Sequence, residues 1–277
     1  MIKSYEEKYE KQVSNLLNGY SLNWEGKASE TVIAVDGEKV VSVGSLSKSE
    51  LHPYREYVNI YVHPEKRRGG IGKSIFEELL SLSKAKKFQA ATSSKDTATV
   101  SFLGKCGFAI ARKCYTPQLK NISSEPSDKP IDCRALKELS ISQKEEVLKL
   151  QLENYREFHQ DINPLSNTIS FNRWKEIISE DLDPEHSYVL VKEGTIEAYI
   201  LCYGSENEKN LEMGYVGGKE VSKTEDYLVF YKQTLNQLFI EFSNIEIEAD
   251  NVDPFAFALL NEFEYDKSES WDTYIYG

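Results

Sequence analysis

The chain has 277 residues, 40% apolar and 12% aromatic, which is enough for folded cores, excludes intrinsic disorder, and exceeds one modal domain of about 100–150 residues. Its net charge of −12 is divided unevenly: residues 1–118 carry 18 Lys+Arg against 13 Asp+Glu, and residues 131–277 carry 13 against 30. Phosphate backbones need a basic face, so the acidic second half argues against a nucleic-acid partner for the whole chain.

No run approaches the roughly 18 apolar residues of a membrane span. The opening stretch "MIKSYEEKYEK" has no hydrophobic signal region, so a cytoplasmic location without membrane attachment is expected. Cys106, Cys114, Cys133 and Cys202 show no CxxC spacing, and His52, His63, His159 and His186 are scattered. Reduced thiols and no metal site are the expectation.

In chain order, "MIKSYE" reads as a short strand and Glu7–Leu17 as a helix with Val13, Leu16 and Leu17 on one face. Val32–Val35 and Val40–Val43 flank Asp36-Gly37, a strong hairpin turn. Glu56–Val62 is a third strand. Gly70–Lys86 follows as a helix, with Ile75, Leu79 and Leu82 stacked along it. Phe88–Thr92 reads as a strand, Asp96–Lys105 as a helix capped by Asp96, and Phe108–Tyr115 as a strand. The stretch Thr116–Pro130, with three prolines and several serines, marks a linker.

The second half repeats this order. "IDCRAL" is a strand, Gln143–Glu157 a helix, and "SYVLVKEGTIEAYILCYG" a hairpin around Glu193-Gly194. "NLEMGYVGG" takes the third-strand position. Thr224–Phe242 is a helix, "IEIEA" a strand, Asp253–Asn261 a helix, and Tyr265–Tyr276 a closing strand. An internally duplicated α+β unit accounts for the pattern.

Chemistry concentrates at the corner after the third strand, "VHPEKRRGGIGKS", Val62–Ser74. Backbone N–H groups converge at a helix start, where the dipole also favours an anion. Gly69, Gly70 and Gly72 allow close approach and unusual dihedrals, and Arg67, Arg68 and Lys73 add positive charge. The corner therefore reads as a cradle for phosphate or pyrophosphate. It is neither a P-loop, since GxxxxGK[ST] is missing, nor a Rossmann fingerprint.

At these residues the chain resembles the GCN5-related N-acetyltransferases (GNAT). Arg67-Arg68-Gly69-Gly70-Ile71-Gly72 fits their [Q/R]-x-x-G-x-[G/A] motif, with Val62-His63-Pro64 at the usual distance before it. "SFLGKCGFAIARKCY" is similar to the family's helix ending in Gly-Phe and followed by a strand. The resemblance implies acetyl-CoA as cosubstrate. It places the pyrophosphate on the amides of Arg67, Arg68, Gly69, Gly70, Ile71 and Gly72, with Lys73 and Ser74 in the following turn. The pantetheine arm would lie along Ile60, Tyr61 and Val62. In the second half "LEMGYVGGKEVSKTEDYLVFYK" aligns with the motif more loosely. Lys223 falls at the arginine position, but Thr224 and Asp226 replace two glycines. This copy is read as having lost the cofactor.

The resulting expectation is an α+β protein of two tandem GNAT-like domains, each a mixed, mostly antiparallel sheet flanked by helices. Residues 1–118 form the acetyl-CoA-binding domain, 119–130 the linker, and 131–277 a degenerate copy walling the substrate cleft. Glu56 stands where some members carry a general base, on the same strand face as Val58, Ile60 and Val62. The alternative is a strand-end glutamate paired with Arg55 or a lysine. The family's usual tyrosine acid is replaced by Leu103, and by Leu260 in the second copy. Asp96 matches an asparagine that contacts pantetheine in many members, or it is simply a helix cap. Phe102 and Lys105 lie on the helix that flanks the cofactor in the family.

The function expected is transfer of acetyl to a primary amine of a cationic small molecule or peptide. A non-catalytic acetyl-CoA sensor or scaffold, and an interaction module that binds another phosphate, remain alternatives.

Overall fold

The computed structural model describes residues 1–18, 20, 27, 29–84, 86–120, 132–205 and 207–277. The elements in chain order are β1 (Ile2–Ser4), α1 (Glu10–Leu16), β2 (Thr31–Asp36), β3 (Lys39–Ser47), β4 (Glu56–Val62), α2 (Ile71–Leu82), β5 (Phe88–Ser93), α3 (Thr97–Lys105), β6 (Ala109–Tyr115) and β7 (Gln118–Leu119). There follow β8 (Cys133–Ala135), α4 (Ile141–His159), α5 (Phe171–Ser179), β9 (Leu182–Lys192), β10 (Thr195–Gly204), β11 (Asn210–Gly218), α6 (Thr224–Glu241), β12 (Asn244–Ile247), β13 (Ala249–Asp250), α7 (Pro254–Leu260) and β14 (Trp271–Tyr276). Among the described residues no helix is long and apolar enough to cross a membrane. The chain divides into two compact units, Met1–Ala111 with Asp272–Gly277, and Arg112–Trp271. The proline-rich linker lies outside the described residues from position 121 to 131.

In the first unit the strands run β1-β2-β3-β4-β5-β14-β6. β1 to β4 pair antiparallel, and β4 pairs β5 in parallel. Gly37, at φ 60°, makes the β2–β3 turn. One sheet face buries Ile33, Val43 and Tyr61 against Val13 of α1. The other buries Val32, Val58 and Phe88 against Ile75, Phe76 and Leu79 of α2 and Leu103 of α3. The Gly-Phe pair ends α3 for a physical reason. Gly107 takes φ 88°, its N–H bonds Gly104 O, and Phe108 N–H bonds Leu103 O at 3.0 Å. These are the two bonds of a Schellman stop, and Phe108 and Leu103 then meet in the core.

The closing strand corrects the sequence reading. It spans Trp271–Tyr276 rather than Tyr265–Tyr276, and it lies between β5 and β6 in the first unit. Tyr274 is buried there, and the Tyr276 ring packs on Phe76, Phe88 and Phe108 with centroids 5.5–5.9 Å away. Arg55 donates to the carbonyls of Tyr276 and Gly277 at 3.3 and 3.1 Å. The aromatic alternation seen in the sequence is thus the code for a central strand of the other half.

The second unit carries a sheet of order β7-β12-β11-β10-β9-β8. β11 and β12 are parallel, and the other pairs are antiparallel. Cys114 and Tyr115, at the end of β6, pair Asp250 and Ala249 of β13. The expected "IEIEA" strand is therefore two short ones, β12 and β13. α4 starts with a capping box between Ser140 and Gln143. α5 was not read from the sequence. It is capped by Ser170 and buries Trp174, whose Nε1 donates to Gln151 Oε1 at 2.7 Å. In each unit the strand beside the fifth, parallel one comes from across the linker: β14 in the first, β7 in the second.

Two predictions follow from this packing. Tyr276→Ala removes a ring held by three others and should cost about 2–4 kcal/mol in urea unfolding of the first unit. The second concerns Asp253, which caps α7 by accepting from Phe255 N and Ala256 N. Burial pushes its carboxyl up to about 6 against the downward pull of those bonds. Above the unfolded value of 3.8 the native state holds a proton that the unfolded chain has released. Stability therefore falls as pH rises from 4 to about 6, by roughly 3 kcal/mol at most. Asp253→Asn keeps a cap and should flatten that part of a urea-derived stability profile.

Candidate functional site

The ladder between β4 and β5 comprises only Glu56↔Phe88 and Tyr57↔Gln89. Beyond it the strands part while β4 runs on to Val62. The β3–β4 ladder stays in register from Ser47↔Tyr57 to Ser42↔Val62, so β4 carries no bulge and its alternation is regular. His63 N–H bonds Val41 O across that ladder, while Glu56 N–H bonds Lys87 O on the β5 side. By strict alternation the backbone groups of Tyr57, Asn59 and Tyr61 serve β3, and those of Val58, Ile60 and Val62 face the fork. Val62 O accepts from Arg67 Nε at 3.0 Å.

The predicted strand residues accordingly divide. Ile60 and Val62 present their backbone to the fork. Tyr61 turns the other way: its carbonyl accepts from Ser42 Oγ at 2.7 Å, and its ring packs on Tyr20 with the centroids 4.5 Å apart.

At the open end of the fork stands the start of α2. A 3-10 turn, Pro64–Lys66, leads into Arg67–Gly70. Arg68 at φ 66° and Gly70 at φ 82° are both left-handed, an unusual state for an arginine. Gly70 is the N-cap, so no side chain caps the helix, and the first turn holds no acid. The first intrahelical bond is Ser74 N–H to Gly70 O, which leaves the amides of Ile71, Gly72 and Lys73 without helical acceptors. Arg67, Arg68, Gly69, Gly70, Lys73 and Ser74 are exposed. A side chain at Gly69 or Gly70 would meet open space, and the need at Gly70 is conformational. Gly72 differs, because a Cβ there would stand 3.1 Å from the Phe102 ring and 3.5 Å from Val62. It lets α2 start close against α3 and the end of β4. The corner can hold a diphosphate on free amides, backed by two arginines and a lysine.

Glu56 lies one residue below the fork, on the Val58 face. Its side chain is 12% exposed, with Oε1 3.3 Å from Lys48 Nζ. Oε2 is buried without a hydrogen-bond partner. Leu103, at the position of the usual tyrosine, is in the core at 4% exposure, and Leu260 is fully buried. Asp96 caps α3, accepting from Thr99 N at 3.1 Å and Thr99 Oγ1 at 2.6 Å. Those bonds hold its carboxyl below the usual range. Cys106 is half-buried, and burial raises its thiol against the pull of Lys73. Sequence reasoning missed Gln89, left open which lysine pairs with Glu56, and did not place the C-terminal strand in the first unit. A polar Gln among the apolar residues that open the parallel strand "FQAATS" was the one signal available for the first.

The second unit has the same fork with different contents. β11 and β12 pair from Asn210↔Asn244 to Met213↔Ile247 and then separate. Gly217 O accepts from Tyr231 Oη and Gly218 O from Asn154 Nδ2, each at 3.0 Å. Tyr227 and Tyr231 are fully buried, and a Cβ at Gly218 would collide with the Tyr227 ring. The 3-10 turn Val221–Lys223 runs straight into α6, without the four residues that Arg67–Gly70 supply in the first unit. Glu225 and Asp226 occupy the first turn of α6.

Residues 1–108 match the model of the Acetyltransferase (GNAT) family. That match covers most of the first unit. A GCN5-related N-acetyltransferase from Sphaerobacter thermophilus shares the fold over 100% of this chain and 95% of its own, at 14% identity and a TM-score of 0.55. A tandem GNAT protein from the clavulanic acid biosynthesis pathway does so over 100% and 98%, at 12% identity and a TM-score of 0.50. The chain thus has the fold of two tandem GNAT-like domains. No curated protein sequence matches it.

Proposed function

We propose that the protein is an acetyl-CoA-dependent N-acetyltransferase whose first domain binds the cosubstrate and carries out the transfer. The reading rests on the uncapped, acid-free and basic start of α2 at the mouth of the β4–β5 fork. The free amides of Ile71, Gly72 and Lys73, with Arg67 and Arg68, would hold the diphosphate. The fork-facing C=O of Val58, the N–H and C=O of Ile60 and the N–H of Val62 would pair with the amide-bearing arm and hold the thioester carbonyl. Glu56 Oε2, which has no donor, would take the proton of the incoming amine. That amine attacks the carbonyl carbon as the C–S bond breaks, and the thiolate leaves with a proton from solvent, since Leu103 offers none. Holding both substrates in line supplies much of the rate.

We further assign the second domain no cofactor. The buried Tyr227 ring packs against Gly218 at the end of β11, and Glu225 and Asp226 already complement the helix dipole. The surplus of 30 acidic over 13 basic residues in 131–277 favours a cationic acceptor through long-range attraction.

The buried leucine at 103 and the Lys48–Glu56 ion pair also support a second reading, an acetyl-CoA-binding sensor that does not turn over.

Calorimetry should register acetyl-CoA binding to the wild type. Gly72→Glu, which drives a carboxylate and bulk between α2 and Phe102, should weaken that binding at least about 100-fold while the fold persists by circular dichroism. Full-strength binding in the variant would remove the corner from the site. Amine-dependent thiol release separates enzyme from sensor. In Glu56→Gln, kcat should fall by about 100-fold with the acetyl-CoA affinity unchanged. An unaltered kcat would strip Glu56 of its role as base.

A further inference from the structure

The last rung before the fork, Tyr57↔Gln89, carries an unexplained group. Gln89 is 5% exposed, and its Oε1 is buried without a hydrogen-bond partner. A carboxamide oxygen that has lost water and gained no donor destabilises the fold. Such atoms are rare in native interiors.

Its position is defined by alternation. Phe88 and Ala90 pack on the α2 side of β5, so Gln89 lies on the opposite face with Tyr57. The next rungs on that face are Asn59 on β4, with Ser45 and Thr31 paired to it in sequence across β3 and β2. Ser45 and Thr31 are buried and Asn59 is half-buried. This patch is neutral and polar. Glu56, whose Oε2 is another buried acceptor without a donor, stands on the opposite face of the adjacent rung. The floor of the fork is therefore bracketed by two oxygens that lack donors, one charged and one neutral.

Resting on the acetyl-transfer reading above, we propose that Gln89 Oε1 is a positioning residue for the acceptor. It accepts a hydrogen bond from an N–H of the incoming amine and fixes the nitrogen's approach at the crotch of the fork. Glu56 then takes the proton to be lost, and Gln89 holds one that stays. Two N–H groups on the reacting nitrogen are required, so the site selects primary amines over secondary ones. The neutral oxygen orients the amine without competing with Glu56 for its proton.

The test uses the full chain, acetyl-CoA, and ethylamine as the bare reacting end of an acceptor, with thiol release as the readout. Gln89→Met removes the oxygen at similar volume. The KM for ethylamine should rise at least about tenfold, with the KM for acetyl-CoA unchanged. The melting temperature should not fall, since an unsatisfied buried group is gone. Gln89→Glu restores an oxygen at the position and should recover most of the ethylamine KM. Diethylamine should be a far poorer acceptor than ethylamine in the wild type. An unchanged ethylamine KM in Gln89→Met overturns the proposal alone, as does a drop in melting temperature with both KM values rising together. Acetyl-CoA binding without ethylamine-dependent release in the wild type overturns the proposal and the transfer reading together. Absence of acetyl-CoA binding removes the reading on which the proposal stands.

Discussion

Two parallel strands that pair for two residues and then part are the constraint on which the first domain depends. Backbone N–H and C=O groups are obligatory hydrogen-bonding groups, and a sheet interior normally leaves none of them open. By parting after Tyr57↔Gln89, β4 and β5 leave the carbonyl of Val58, both backbone groups of Ile60 and the N–H of Val62 facing the fork. The start of α2 then lies where that ligand's charged end would emerge. Its amides are open because Gly70, as N-cap, brings no side chain to close them. Binding groups on both the strand and the helix are thus main-chain atoms, which any sequence could supply. What the sequence contributes is the removal of obstacles and of competing acids.

The second domain shows what happens when the obstacles return. The fork between β11 and β12 is intact, yet Asn154 has taken the carbonyl of Gly218 and the buried Tyr227 ring packs against that residue. Two acids sit in the first turn of α6. Filling the space with fully buried aromatic rings converts a binding geometry into a core. The glycines of β11 now admit tyrosine rings from its own domain, where Gly69 and Gly70 in the first domain leave open space. The same fork thus carries different contents, through the side chains around it and through the absence of a four-residue turn before α6.

Much of this was legible in the sequence. Glu56–Val62 and Asn210–Gly218 were bounded as observed, because β-branched and aromatic runs between turn residues have few alternatives. The basic glycine corner announced itself through residue types alone. Other features depended on tertiary context. The α5 helix has a short, mostly polar sequence held by the contact of Trp174 with Gln151. Tyr61 shares its strand with two fork-facing neighbours, and only the ladder parity shows that it faces away. Gln89 is an unremarkable residue type whose meaning comes from what it fails to touch. The partner of the last strand could not be read, because alternating aromatics specify a central strand without naming its sheet.

That last strand bears directly on the site. β14 lies along the other side of β5, so β5 keeps a partner where β4 leaves it, with the Tyr276 ring fixed on Phe88 at its start. Arg55, immediately before β4, holds the carbonyls of Tyr276 and Gly277. The segment that keeps β5 in the sheet is thereby tied to the base of β4. Residues more than 180 positions apart in sequence must therefore meet before the first domain's sheet is complete, and such non-local pairing is slow to form. The family match ends at residue 108, yet the unit it covers is finished only by Asp272–Gly277.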